Sequence, residues 1–363
     1  FQETYGPCDT TLYGVSIQSQ REDLTNLDGL NGLKQIQGSL SVLNNYGLGD
    51  VSFTALEVIE GDITVRYNTN TNYVPNSLNF PALISLGGSI RLDDTNNDYR
   101  LGGFSADALE RISGGLFALN PSISNLSLAK LTTISGNLNV SNTRLSSLSG
   151  LSSLTSVSGS VTISNNQLLR DIDGLLGLTS LGLTTISDNQ GLLSLSGLAN
   201  VTAVDGDLIL SVNGSLRNLD GLTSLTSVSG AMTVDRNLSL PDLNGINNLT
   251  SVSDLEISGN TALRYCGGIY DLLNNDSGVS GGVLVSGNGI GCQSVEDVSA
   301  SLGVLQTRAS YCYAPGEIIL ASQAQVDTFQ ETYGPCDTTL YGVSIRSQSV
   351  DLTNLDGLNG LKQ

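Results

Sequence analysis

Three stretches of this chain are variations on one another: SSLTSVSGSVTISNNQLLRDIDGL (152 to 175), ANVTAVDGDLILSVNGSLRNLDGL (199 to 222) and TSLTSVSGAMTVDRNLSLPDLNGI (223 to 246). Anchored on one apolar position, the pattern recurs at Ile36, Ile59, Leu86, Ile112, Ile134, Val157, Leu181, Val204, Val228 and Val252, with spacings of 23, 27, 26, 22, 23, 24, 23, 24 and 24 residues. A period near 24 with Leu, Val and Ile at fixed offsets restricts the chain to a solenoid. Each coil carries apolar side chains that it buries only by stacking on its neighbours, so no coil folds alone.

The offsets describe one coil. Gly stands two residues after the anchor at Gly38, Gly61, Gly88, Gly114, Gly136, Gly159, Gly206 and Gly230, while the coils anchored at Leu181 and Val252 are one residue short there. Such a column implies a corner whose backbone conformation disfavours a Cβ. Strict alternation follows, as in Ser160-Val161-Thr162-Ile163-Ser164, which predicts a short strand with Val161 and Ile163 inward, stacked in parallel on its equivalents. Next comes a column of Asn at Asn45, Asn68, Asn166, Asn189, Asn213, Asn237 and Asn260. Its expected role is a structural ladder, each amide satisfying backbone groups at a buried turn. The segment Asn213, Leu216, Leu219, Gly221 and Leu222 illustrates how a coil closes.

A longer period encloses this one. Residues 1 to 35 and 329 to 363 agree at 32 of 35 positions, differing only at Gln18/Arg346, Arg21/Ser349 and Glu22/Val350, a period of 329 − 1 = 328. The expectation is a window on a longer tandem array, with no start methionine or leader before Phe1. The domains read as residues 1–11, the remainder of an N-terminal cap; 12–290, solenoid coils; 291–310, a C-terminal helical cap; and 311–363, the cap and first coil of the next unit. In that last part GEIIL (316 to 320) reads as a strand and Ser322 to Tyr333 as a short amphipathic helix.

The repeat also explains five cysteines: Cys8 and Cys336 are one position in two units, so a unit holds four, which permit three pairings. Cys266 takes the inward position of Leu219 and Leu243, and Cys292 follows the last strand, Val283-Leu284-Val285. A Cys266–Cys292 bridge would hold the C-terminal lid and contribute about 3 kcal/mol; two buried free thiols are the alternative. The lid itself is a helix from the capping box Ser294-Val-Glu-Asp297 to about Leu305. A Cys312–Cys336 bridge is expected in the N-terminal cap, leaving Cys8 to the Cys312 equivalent of a preceding unit.

Charge and composition narrow the chemistry. A net charge of −19 disfavours phosphate backbones and anionic membrane surfaces, so no nucleic-acid partner is expected, and no apolar run is long enough for membrane insertion. The chain has no His and no Trp, and its one Met, Met232, fills a strand position. Without histidine the usual triads and His-ligated metal sites are excluded; a carboxylate or lysine mechanism is the remaining enzymatic alternative, but the coils stack no acidic and basic residues into an evident cleft, and no enzyme is expected. The outward strand positions Ser41, Thr64, Arg91, Phe117, Asn139, Thr162, Thr185, Ile209, Thr233 and Glu256 are too mixed for a flat ice-binding lattice.

The irregular coils are more informative. RYNTNTNYVPNSLNF (66 to 80) and DDTNNDYR (93 to 100) insert residues at the same corner of adjacent coils, bringing together Arg66, Tyr67, Tyr73, Asp93, Asp94, Asp98, Tyr99 and Arg100 as a binding or lateral-contact patch. A solvated loop with local Asn turns is the competing reading. Asp93, Asp94 and Asp98 offer oxygens to calcium, the one cofactor considered, although no EF-hand or nonapeptide calcium repeat is present. Seven sequons, at Asn125, Asn139, Asn200, Asn213, Asn237, Asn248 and Asn275, are as many as chance gives and assign no compartment.

The motifs GEIILASQAQVDTF, CDTTLYGVSI followed by DLTNLDGLNGL, the LTSVSGSVTISNN coils and the LRYCGG to VSGNGIGC ending resemble leucine-rich, receptor L-domain-like tandem repeats of large secreted and surface proteins of marine gliding bacteria. The coils from 59 to 107 depart from that pattern. The resemblance implies an all-β, right-handed parallel β-solenoid with short helical, disulfide-bonded caps; its members act as ligand-binding ectodomains, adhesins or stalks. Fold alone does not choose among these roles. The expectation is a structural unit of a giant extracellular filament or surface appendage used for adhesion, attachment or capture of other cells, its partners being copies of itself in tandem and laterally. The alternative is a module binding a glycan or protein through the long coils 66–107. The cysteine framework and the array carry the extracellular assignment.

Overall fold

In the computed structural model the alternating segments of successive coils lie side by side as parallel strands, in the register the repeat predicts. Described are residues 12–19, 24–45, 47–66, 76–93 and 101–298, with the strands at 318–320 and 343–345. The chain divides into two compact units, Phe1–Val298 and Ser299–Gln363.

The first unit is a parallel β-solenoid with three walls. The main wall runs through twelve stacked strands, from Val15–Gln18 and Leu40–Leu43 to Leu255–Ser258 and Val283–Ser286. Eleven intervals of about 4.8 Å make it roughly 53 Å long. Its inward side chains, such as Val140, Ile163, Ile186 and Leu210, are fully buried. The second wall carries the anchors in two-residue strands: Ile36 pairs with Ile59, Ile59 with Leu86, Leu86 with Ile112, Ile112 with Ile134, and Ile134 with Val157. In the coil anchored at Leu181, which lacks one corner residue, the corner opens and both walls merge into the continuous strand Ser180–Ser187. Its neighbour Ala203–Ser211 is likewise continuous and carries Gly206 at φ +133°.

The third wall changes character along the unit. It is strand in four consecutive coils (Val51–Ser52, Asn76–Asn79, Leu101–Ser105, Asn125–Ser127) and a 3-10 turn in Asp28–Leu30 and in six coils from Ser149–Leu151 to Gly267–Ile269. The strand-walled coils include the long ones, and Phe53, Phe80 and Phe104 are buried in their interior. Phe53 stacks on Phe80 with ring centroids 5.1 Å apart, and Phe80 lies 5.5 Å from Phe104. This is the physical content of the departure of coils 59 to 107 from the repeat.

The glycine corner requires a correction. Of Gly38, Gly61, Gly88, Gly114, Gly136, Gly159, Gly206 and Gly230, only Gly206 has a positive φ. The column is glycine because coils meet there backbone to backbone: Gly61 N donates to Gly38 O, Gly88 N to Gly61 O and Gly136 N to Gly114 O at 2.8 to 3.0 Å. A Cβ on Gly136 would lie 2.8 Å from the Gly114 carbonyl carbon. A second column, Gly150, Gly174, Gly197, Gly221, Gly245 and Gly268 in the 3-10 turns, is equally constrained, since a Cβ would overlap the carbonyl oxygen of the coil before.

At the C-terminal end the turn Gly267–Ile269 runs directly into a short helix, Tyr270–Asn274, before the last strand. One half of the capping box is present, Asp297 N donating to Ser294 Oγ (3.3 Å), while Asp297 Oδ2 accepts from Gln293 N, one residue before the cap, at 2.8 Å, opening a helical turn at 295–298. Hydrogen bonds from its own backbone N–H and from Ser294 hold the exposed Glu296 carboxyl below its ordinary pKa. The rest of the lid to Leu305 lies outside the described residues. In the second unit Ile318–Leu320, within GEIIL, pairs in parallel with Val343–Ile345. The latter stands 343 − 15 = 328 residues after Val15 of the first strand.

Candidate functional site

The Asn column is a hydrogen-bonded ladder. Backbone N–H groups of Thr143, Asn166, Asn189, Asn213, Asn237 and Asn260 each donate to the side-chain Oδ1 of the Asn one coil further on, at 2.8 to 3.1 Å. Each Nδ2 donates back to a strand carbonyl of the preceding coil, Asn166 to Val140 O, Asn189 to Ile163 O, Asn213 to Ile186 O, Asn237 to Leu210 O and Asn260 to Val234 O, at 2.8 to 2.9 Å. These asparagines have no exposed surface. Asn45 does the same for Ile17 O at 3.0 Å, and Asn68 lies outside the described residues. The ladder has two members that sequence reasoning missed, Thr143 at its start and Asn288 at its end, where Asn288 Nδ2 donates to Ile257 O. The residue before each ladder position is left-handed: Asn44, Asn142, Asn165, Asp188, Val212, Arg236, Gly259 and Gly287 have φ between +50° and +66°.

The long-coil corner is partly described. Arg66 and Asp93 end the paired strands Ile63–Arg66 and Ile90–Asp93, and the guanidinium Nε and Nη2 donate to the two oxygens of Asp93 in a bidentate ion pair. The chain leaves both strands at this corner and re-enters the third wall in the adjacent paired strands Asn76–Asn79 and Leu101–Ser105. Both insertions therefore start and finish on neighbouring coils. Tyr67, Tyr73, Asp94, Asp98, Tyr99 and Arg100 lie outside the described residues. Among the described residues no three Cys, Asp or Glu side chains are grouped to share a metal ion.

The outward strand residues form a single column, each paired with the next: Ser41, Thr64, Arg91, Phe117, Asn139, Thr162, Thr185, Ile209, Thr233 and Glu256, continuing to Leu284. Arg91 stacks over the Phe117 ring, 4.2 Å from its centroid, so the column is interrupted by a cation–π contact. Of the sequons, Asn213 and Asn237 are buried in the ladder, whereas Asn125, Asn200, Asn248 and Asn275 are exposed.

Cys266 and Cys292 are joined in a disulfide with Cα atoms 5.7 Å apart, and both are fully buried. Cys266 occupies the inward column of Leu219 and Leu243, so the bridge replaces one stacking contact where the coils end. Cys8, Cys312 and Cys336 lie outside the described residues. No helix among the described residues is long and apolar enough to cross a membrane. No protein-family model, curated protein or solved structure matches this chain.

Proposed function

We propose that the chain is a structural tandem-repeat unit of a giant extracellular filament or surface appendage used for adhesion, attachment or capture of other cells. The observation that carries this reading is the pair of parallel strands Ile318–Leu320 and Val343–Ile345, the second being the first solenoid strand repeated at a period of 328 residues. A β-solenoid that begins again after one period is what an extended array requires. The disulfide favours an oxidising, extracellular compartment. Its leucine-rich, receptor L-domain-like character and its source among marine gliding bacteria belong to the same reading and rest on the motifs quoted above. The role is mechanical and adhesive rather than enzymatic, its partners copies of the chain and a target cell surface. Electron microscopy of the native full-length protein tests it: continuous rods or bundles support it, and isolated globular particles refute it.

A second reading, a recognition module binding a glycan or protein through residues 66–107, is favoured by the two insertions that spring from adjoining strands at the Arg66–Asp93 pair. Deleting 67–75 and 94–100 separates the two. Attachment lost with assembly unchanged supports the module; assembly lost supports a lateral contact.

A further inference from the structure

Between the ladder position and the 3-10 turn each coil crosses a short connecting segment, and backbone bonds align these segments. Leu193 N donates to Arg170 O, Arg217 N to Leu193 O and Arg264 N to Pro241 O, at 3.0 to 3.4 Å. These bonds order Arg170, Leu193 and Arg217, and Pro241 and Arg264, and the 24-residue step from Arg217 to Pro241 joins them into one exposed column. An arginine recurs every second coil, about 9.6 Å apart. None of the three makes an ion pair among the described residues, unlike Arg66 with Asp93 and Arg236 with Asp235.

Two further features share this strip. Leu168, Leu193 and Leu238, three of the ten large apolar side chains exposed among the described residues, lie on these connecting segments beside the arginines. Three residues beyond Arg170 and Arg217, across buried Ile172 and Leu219, stand the exposed Asp173 and Asp220, again two coils apart. Arg170 and Arg217 thus each stand beside an aspartate at the same two-coil spacing, while Arg264 has Gly267 in that place.

We propose that this strip is the face on which a second copy of the chain docks, the arginines of one copy lying against Asp173 and Asp220 of the other, with the exposed leucines closed between them. This rests on the filament reading and names the surface through which copies meet laterally. Because Asp173 and Asp220 are spaced like Arg170 and Arg217, two copies with aligned axes bring both charge pairs together at once, as a self-complementary interface requires. Apolar side chains interspersed with Arg are the composition of a protein docking face. The net charge of −19 opposes approach of two copies at long range, while screening beyond about 8 Å at physiological salt leaves the contact to local pairing. A polyanion is disfavoured by the aspartate line beside the arginines.

The test is sedimentation equilibrium of the 363-residue chain at low ionic strength and at about 1 M salt, where screening shortens to about 3 Å. A salt-sensitive dimer is expected. R170E/R217E/R264E and D173R/D220R, both exposed substitutions whose folding circular dichroism verifies, should each weaken self-association by about 100-fold, and an equimolar mixture of the two should restore it. A wild-type chain that stays monomeric, reversal variants that associate as the wild type does, or a monomer that instead binds polyuronate through the arginines overturns the proposal. Native filaments with unaffected reversal variants would refute this strip alone; a dimer through the strip with no native filament would refute the filament reading alone.

Discussion

The backbone N–H of Asn189 donates to the side-chain Oδ1 of Asn213, 24 residues later and one coil along the solenoid, at 3.1 Å. The same Asn213 reaches back with Nδ2 to Ile186 O at 2.9 Å. Each coil therefore completes the hydrogen bonding of the coil before it, and a side chain rather than the backbone alone sets the stacking distance. A buried ladder of this kind makes neighbouring coils cooperative, since removing one side chain strands two polar groups of the coil before it.

Asn213→Ala removes the acceptor of Asn189 N and the donor to Ile186 O, leaving both buried without their partner. We expect a loss of about 3 kcal/mol in chemical denaturation. Asn200→Ala, at an exposed position where the amide donates to Leu176 O, should cost less than about 1 kcal/mol. Equal effects would mean that the ladder is incidental to stability.

Gly221→Ala should be far more costly than Gly214→Ala. A Cβ on Gly221 overlaps the Leu195 carbonyl of the preceding coil, which the backbone cannot move without losing register. On Gly214 the obstacle is the end of the flexible Gln190 side chain. Thermal unfolding should show the first destabilised by about 3 kcal/mol and the second by under about 1 kcal/mol.

Val212 holds φ +57° in a column otherwise occupied largely by Asn, Asp and Gly. A β-branched residue is strained there by about 1 to 2 kcal/mol. Val212→Asn should stabilise the unit by about 1 kcal/mol, read as a higher denaturation midpoint with an unchanged slope.

Cys266→Ser with Cys292→Ser should lower stability by about 3 kcal/mol, through a loop closed over a sequence separation of 26. Hydrogen exchange should locate the loosening in 270–298 and leave the central coils protected. Uniform loss of protection would contradict a bridge that secures only the end.

The main wall was legible because alternation at a 24-residue period fixes both register and facing. Positions such as Val161, Ile163 and Val140 have one stacking that buries them all. The Asn ladder was legible for the same reason, except at its ends. Asn288 was hidden because the last coil is longer, 28 residues from Asn260, and Thr143 because its backbone N–H donates without an Asn side chain. The glycine corner was located correctly but explained wrongly: the crowding comes from the adjacent coil, which no single coil's sequence displays. Left-handed residues before the ladder were foreshadowed by Asn142, Asn165 and Asp188, then obscured by Val212 and Arg236. On the third wall four strand-walled coils stand between coils with 3-10 turns, and short apolar patterns there do not distinguish the two. The Arg170, Arg217 and Arg264 line emerged only once backbone bonds had aligned the coils, because the repeat copies there are punctuated by Leu193 and Pro241.

In the first unit the coils stack in one direction, each main-wall strand parallel to the next. Diffraction from oriented native protein measures this directly. A strong reflection at about 4.8 Å along the long axis, with strands perpendicular to it, is the predicted result. Strands parallel to the long axis, or no axial repeat near that spacing, would contradict the proposed filament.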